Sequence, residues 1–184
     1  TLQPLPEPIS LTSKKNKNGD IKADSLVLAF PDTIRTLMHE YINSHKTSLF
    51  KLVLSAFSIY VSRYTGIDDM AIGSVGHGRS TGLHKKIMGM FVSTFVLRIS
   101  IDENMIFDHF VEKVGNDTNT IVKNYQNYPF DLLSTELREK MGSDTGYLRN
   151  ISLVGHGDVE KKRFDWIVMN PPFTPMKKGY EILY

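Results

Sequence analysis

Cysteine is absent from the 184 residues. That excludes a disulfide framework, a thiolate zinc site and a cysteine nucleophile. Charge of one sign is also lacking: 22 basic residues stand against 20 acidic ones, a net +2, too small for an electrostatic nucleic-acid footprint. No apolar run reaches the roughly 18–20 residues that a membrane-spanning helix needs. The best stretch, Leu52 to Val61, is broken by Ser55 and Ser58. The six histidines (39, 45, 77, 84, 109 and 156) fall without metal-ligand spacing, so no metal site is expected. Neither a P-loop nor a Gly-x-Ser-x-Gly elbow occurs, which removes support for a P-loop nucleotide site and for a serine hydrolase. The first residues, Thr-Leu-Gln-Pro-Leu-Pro, lack a basic then apolar leader, so the expected location is the cytoplasm. A start at Thr1 rather than Met raises the expectation of a segment from something larger.

What is present is an ordinary globular mixture, 41% hydrophobic and 23% charged, long enough for one domain with a core. Pro4, Pro6 and Pro8, followed by Lys14, Lys15 and Lys17 among Asn, Ser and Gly, predict extended or loop structure with a solvated basic stretch. Residues 25–30 read as a short strand. Pro31 and Asp32 then open a helix carrying Ile34, Leu37, Met38 and Tyr41 on one face. A second helix, capped by Thr47 or Ser48 and ended by Gly66, spaces Leu49, Leu52, Val53, Ala56, Phe57, Tyr60, Val61 and Tyr64 as a core face. Residues 70–75 and 91–101 read as strands. In the second of these, Phe95, Leu97 and Ile99 alternate with Thr94, Val96 and Arg98. Helices follow over 106–125, with Gly115 as a weak point, and from Pro129 to Lys140. Two further strands are expected at 150–154 and 164–169. Strands alternating with helices define an α/β class, and no internal repeat is visible.

The glycines at 73, 76 and 78 imitate a phosphate-cradling loop. A dinucleotide fingerprint needs its glycine turn to feed directly into a helix, with an acidic residue about 20 positions on. Here a strand intervenes before Asp102 and Glu103, so a tight turn after a strand is the favoured reading. Three segments carry a stronger signal. Ser62-Arg-Tyr-Thr-Gly-Ile-Asp-Asp-Met-Ala-Ile-Gly73, followed by Gly78-Arg79, is the first. Ile87-Met-Gly89-Met-Phe91-Val92-Ser93-Thr94-Phe-Val-Leu-Arg98 is the second, and Asn124-Tyr-Gln-Asn-Tyr128-Pro129-Phe130-Asp131 the third. Together, in this order, they resemble the condensation domains of nonribosomal peptide synthetases, the second matching "GxFVNTxxxR" with Ser93 where Asn is usual, the third "HQDYPFE".

That resemblance covers about residues 1–140. It implies one half of a chloramphenicol-acetyltransferase-like fold and, for the family, amide-bond formation between acyl groups held as thioesters on phosphopantetheine arms. The implied partners are carrier and adenylation domains and the first half of the same domain. The family's His-His-x-x-x-Asp-Gly motif is absent, since no two histidines are adjacent. No catalytic residue is therefore expected here. Gly89, Phe91, Val92, Ser93, Thr94, Arg98, Tyr128, Pro129 and Phe130 are expected to be structural or tunnel-lining. Arg98, in an otherwise apolar or hydroxyl-bearing strand, needs an acidic or carbonyl partner if buried.

The tail carries a second resemblance. Phe164-Asp-Trp-Ile-Val-Met-Asn170-Pro171-Pro172-Phe173 is similar to the Asn-Pro-Pro-Phe/Tyr segment of S-adenosylmethionine-dependent amino-methyltransferases of adenine N6 or glutamine N5, with residues 151–158 as the preceding strand. In that family Asn and a Pro carbonyl orient the target amino group and the aromatic ring stacks on the base. This alternative implies S-adenosylmethionine and, for the adenine enzymes, nucleic acid. The family's acidic-x-Gly-x-Gly strand does not precede it. The expected division is thus a condensation-like partial domain at 1–145 and a tail at 146–184. A non-catalytic interaction module is the third reading.

Overall fold

A computed structural model describes residues 2, 4–9, 29–79, 81–142, 145, 148, 151–158 and 163–169, the last residues from 156 onward by backbone alone. The chain runs α1 (Asp32–His45), α2 (Leu49–Thr65), β1 (Asp69–Gly76), a single 3-10 turn (His84–Lys86), β2 (Ser93–Ser100), α3 (Phe107–Tyr125), α4 (Phe130–Met141), β3 (Ser152–Asp158) and β4 (Arg163–Met169). The four strands form one sheet in the order β2-β1-β3-β4. β1 pairs antiparallel with β2 from Asp69↔Ser100 to Gly76↔Ser93. β3 joins β1 in parallel at Gly73↔Ser152 and is followed antiparallel by β4.

The period-2 pattern of the strands sorts two cores onto the two faces of the sheet. Met70 and Ile72 of β1, with Phe95, Leu97 and Ile99 of β2, meet Leu54 and Val61 of α2 and Phe110 and Val114 of α3. The intervening Ala71 and Val96 meet Phe130 and Leu137 of α4 and Leu148. The proline-rich N-terminal segment touches both cores: Ile9 belongs to the first, while Leu2 and Leu5 pack on the second. Pro6 is fully buried.

Ser48 caps α2, its Oγ accepting from the Lys51 N–H at 3.4 Å, and Gly66 closes the helix at φ +73. The buried face of α2 differs from the expected one. Leu52, Leu54, Ser55, Ser58, Val61 and Ser62 are buried, whereas Ala56 is exposed and Tyr60 and Tyr64 are 60% and 62% exposed. Serine is tolerated inside because its hydroxyl satisfies itself on the helix: Ser55 Oγ donates to the Lys51 carbonyl and Ser58 Oγ to the Leu54 carbonyl.

α1 forms where the pattern predicts, yet none of its 14 residues is buried. α3 forms as expected and passes through Gly115 without a break, with Val111, Val114 and Thr118 buried around that glycine; the Lys51 side chain lies 3.2 Å from where a Cβ would stand there. The strand expected at 25–30 falls at 25–28 outside the described residues, and Ala29 and Phe30 are not in a strand. Lys14, Lys15 and Lys17 also lie outside them. No helix among the described residues is long and apolar enough to cross a membrane.

Candidate functional site

The family-motif residues occupy opposite ends of β2. At the far end, Arg98 makes a forked ion pair with Asp69, the first residue of β1: Nε donates to Oδ1 at 2.9 Å and one terminal nitrogen to Oδ2 at 2.6 Å. The other terminal nitrogen donates to the Pro4 carbonyl at 2.7 Å. Arg98 thus ties the start of β1 to the proline-rich N-terminal segment. The bond from Arg98, opposed by some desolvation and helped by the charges of Arg98 and Lys113, holds the Asp69 carboxyl below its ordinary value.

Arg98→Ala is expected to cost about 2 kcal/mol, the scale of charge-assisted bonds on a partly exposed pair. Thermal unfolding should read this as a fall of roughly 4–8 °C. The folded pKa of Asp69 lies below the unfolded one, so the pair's contribution is complete above the unfolded value, about 4, and is lost as pH falls through the folded one. The gap between wild type and Arg98→Ala should therefore narrow in acid, leaving the share owed to the Pro4 carbonyl bond. A gap that stays constant down to the acid transition would remove the ion pair as its cause.

At the near end, the strand begins at Ser93, so Phe91 and Val92 precede it instead of starting it. Ser93 pairs with Gly76 and Thr94 with Val75; Val92 is exposed. The Gly76–Phe91 connection is organised by a residue to which the sequence pattern assigns no role, Arg79. Its guanidinium donates to the carbonyls of His84, Ile87 (2.7 Å) and Gly89 (2.7 Å), and its carbon sits 4.4 Å from the centre of the Phe91 ring. Two glycines make the path possible. Gly78 has φ +62, and a Cβ on it would lie 1.9 Å from the Phe91 carbonyl oxygen. Gly89 needs its φ of +144, whereas the space beside it is open: a Cβ would meet nothing closer than the Phe91 ring at 3.9 Å. Its requirement is conformation and not close packing.

A signal for Arg79 exists in the sequence. No acidic residue occurs between 77 and 92, so an arginine folded into that loop has no carboxylate within it and turns to neutral acceptors such as backbone carbonyls. The third motif lies beside this end of the sheet. A Cβ on Gly76 would be 3.4 Å from the Phe95 ring and 3.7 Å from the Gln126 amide oxygen. Pro129 caps α4 at φ −62 and Phe130 is buried in the second core. The Tyr128 hydroxyl donates to the Glu136 carboxylate at 2.5 Å, which pushes that phenol above its ordinary value. The two ends are about 17 Å apart, five residues of strand from Ser93 to Arg98. The motif residues thus form two clusters, a loop-and-turn cluster and an ion-pair cluster, and not one catalytic constellation.

Two clefts lie elsewhere. One, of about 460 Å³, runs between α1, the start of α2 and α3, lined by Tyr41, His45, Lys51, Asp108 and Gly115 among others. A smaller one, about 300 Å³, lies between the end of α2 and residues 101–110. Among the described residues no three His, Asp or Glu side chains gather as metal ligands. Asn170, Pro171, Pro172 and Phe173 of the methyltransferase-like segment lie outside the described residues.

The fold is that of a condensation domain, with its chloramphenicol-acetyltransferase-like α/β architecture. The chain belongs to the condensation-domain family of nonribosomal peptide synthetases: the family model "Condensation domain" matches residues 1–154. It is 31% identical over 129 residues to a plipastatin synthase of Bacillus subtilis (strain 168), covering 70% of this chain and 5% of that protein. To surfactin synthase subunit 1 of the same strain it is 29% identical over 141 residues, 77% of this chain and 4% of that one.

Solved structures carry the same fold. A holo four-domain nonribosomal peptide synthetase bound to AMP and glycine superposes with a TM-score of 0.66 at 20% identity, over 75% of this chain and 10% of that one. The first condensation domain of the calcium-dependent antibiotic synthetase does so at 0.60 and 17%, over 83% of this chain and 39% of that one. The chain thus spans a small fraction of the synthetases and about two fifths of that condensation domain.

Proposed function

We propose that this chain supplies the second lobe of a condensation domain that joins two carrier-held acyl groups through an amide bond. In that reaction the amine of one thioester-bound group attacks the thioester carbonyl of the other. The C–N bond forms, the C–S bond breaks, and the amine proton passes to a base and from it to the leaving phosphopantetheine thiolate. The chain has no adjacent histidine pair to provide that base, so its residues act as scaffold and tunnel wall while a complementary lobe carries the proton. Gly89, Phe91, Val92, Ser93, Thr94 and the Tyr128-Pro129-Phe130 turn form the wall in this reading, and Arg98 braces the strand behind it. The phosphopantetheine belongs to partner carrier domains, adenylation domains load them, and the cytoplasm is the setting.

The observation that carries the proposal is the family match over residues 1–154, with all three motifs around one sheet. The tail's amino-methyltransferase resemblance has a single structural correlate, a strand that ends at Met169 directly before Asn170. The condensation reading takes precedence because β3 already belongs to the sheet of β1, through the Gly73 N–H donating to the Ile151 carbonyl at 2.8 Å.

The test is to co-produce this chain with a first-lobe segment bearing His-His-x-x-x-Asp-Gly from a related condensation domain. Two loaded carrier domains are then added and the amide product is followed by mass spectrometry. Product is expected from the pair, not from the chain alone. Replacing the second histidine of the motif by alanine should slow it by two to four powers of ten, roughly the usual range of general-base help. Lobes that fail to associate, or that associate without forming product, would overturn the proposal.

A further inference from the structure

α1 stands apart from the other long helices. α2 buries six of its residues and α3 five, whereas α1 buries none. Its apolar side chains Ile34 and Leu37 are 42% and 59% exposed. Burial is what ordinarily fixes a surface helix to its domain; in α1 it reaches only half-burial, at Met38, Tyr41 and Ile42, so polar contacts carry more of the attachment.

Among the described residues, the polar contacts that attach it to α3 lie at its last turn. The Tyr41 hydroxyl donates to Asp108 Oδ1 of α3 at 2.7 Å, and His45 Nε2 is 3.5 Å from Asp108 Oδ2. The rings of Tyr41 and His45 stack with centroids 4.0 Å apart, and Phe107 tilts against Tyr41 at 6.0 Å. Asp108 thus receives both groups from α1 on its two oxygens. Partial burial, then the bond and charge of Asp108, push the Tyr41 phenol up to about 12, so it is a donor throughout the ordinary pH range. Immediately after this turn comes the joint to α2. Lys46 sits at φ +48, a left-handed conformation uncommon for a residue with a side chain, and only Thr47 and Ser48 separate it from α2.

We infer that α1 is a hinged lid over the cleft between α2 and α3, clasped shut by Tyr41 and His45 on Asp108 and turning about residues 46–48. Tyr41 and His45, at the end of α1, line that 460 Å³ cleft together with the hinge residues Lys46 and Thr47, and Lys51, Asp108 and Gly115 line it from α2 and α3. Releasing one carboxylate frees the lid without disturbing either core, because α1 contributes no buried residue to them. Stability is not uniform across a domain, and an element with few buried contacts opens at a lower free energy than the rest.

Hydrogen exchange followed by mass spectrometry on the full chain tests this. Asp108→Ala should speed exchange of α1 amides about tenfold, the effect of losing one hydrogen bond to a charged group, while α2 and the sheet keep their rates. Asp108 also lies in the first turn of α3, where a carboxylate favours the helix dipole. Tyr41→Phe is therefore the second variant: it keeps the ring stack, leaves α3 untouched and removes only the hydroxyl, and should speed α1 by a smaller factor. Unchanged α1 rates in both variants would overturn the clasp. Acceleration of α1 and α2 together would overturn the hinge, since the two helices would then open as one unit.

Discussion

Gly78→Ala is expected to lower the melting temperature by roughly 6–12 °C, the equivalent of about 3 kcal/mol in a domain of this size. Two penalties coincide at this position. The residue has φ +62, which an L side chain rarely adopts, and the added carbon would stand 1.9 Å from the Phe91 carbonyl oxygen. The obstacle is backbone, so a rotamer change does not relieve it. The connection from Gly76 to Phe91 has to open, and the Arg79 bonds to the carbonyls of His84, Ile87 and Gly89 open with it. Two controls separate the causes. Gly82→Ala meets nothing within 4 Å and should leave the melting temperature within about a degree or two, as surface substitutions do. Gly66→Ala also meets nothing but carries φ +73, so it should show the conformational penalty alone, about 1 kcal/mol. If Gly78→Ala melted like Gly82→Ala, the packed loop would not exist.

Leu54→Ala carries the other large effect, a loss of about 2–5 kcal/mol in chemical denaturation, as fully enclosed leucines do. Leu54 is completely buried in the core between α2, α3 and the sheet. Tyr60→Ala, further along the same helix, removes a larger side chain that is 60% exposed. It should change stability by about 0.5 kcal/mol or less. The contrast decides which face of α2 is inside. Equal losses at the two positions, or a larger one at Tyr60, would reverse the assignment.

The fold is legible in the sequence where a period is strong. β2 alternates Phe95, Leu97 and Ile99 with Val96 and Arg98, and no other arrangement buries the first set together. The caps of α2 and α4 are equally readable, since Ser48, Gly66 and Gly142 each do what their chemistry favours. The face of α2 is not, because serine counts as polar in any periodicity, while Ser55 and Ser58 cancel their polarity on carbonyls one turn back. Tyr60 and Tyr64 then draw the apparent stripe toward solvent, where they stack on each other with centroids 6.2 Å apart.

The site divides in the same way. That Arg98 needs an acidic or carbonyl partner follows from its strand. That the partners are Asp69 and the Pro4 carbonyl depends on the β1–β2 register and on a segment 94 residues away, which no local pattern encodes. Arg79 is hard to see because its role is to bind backbone, and backbone has no letter in the sequence. The lid contacts at Asp108 are hidden for a related reason: Tyr41 and Asp108 are 67 residues apart, and the pattern reads Tyr41 as part of an apolar helix face and assigns Asp108 no role.

The seam between β1 and β3 has a consequence for the order of assembly. It is one register pair wide, Gly73 with Ser152, reinforced by the Ser74 hydroxyl donating to the Leu153 carbonyl at 2.9 Å. Those partners are 79 residues apart, whereas β1–β2 and β3–β4 are each joined by a far shorter stretch of chain. Closing a long loop costs only about 0.6 kcal/mol for each doubling of its length, so distance along the chain does little to weaken the finished seam. It does delay it, because contacts remote in sequence form late. Each hairpin can zip as its own strands meet, and the sheet becomes continuous only when the missing side chain of Gly73 leaves room for Ser152. The middle of the finished sheet is thus expected to be the last part of it to form.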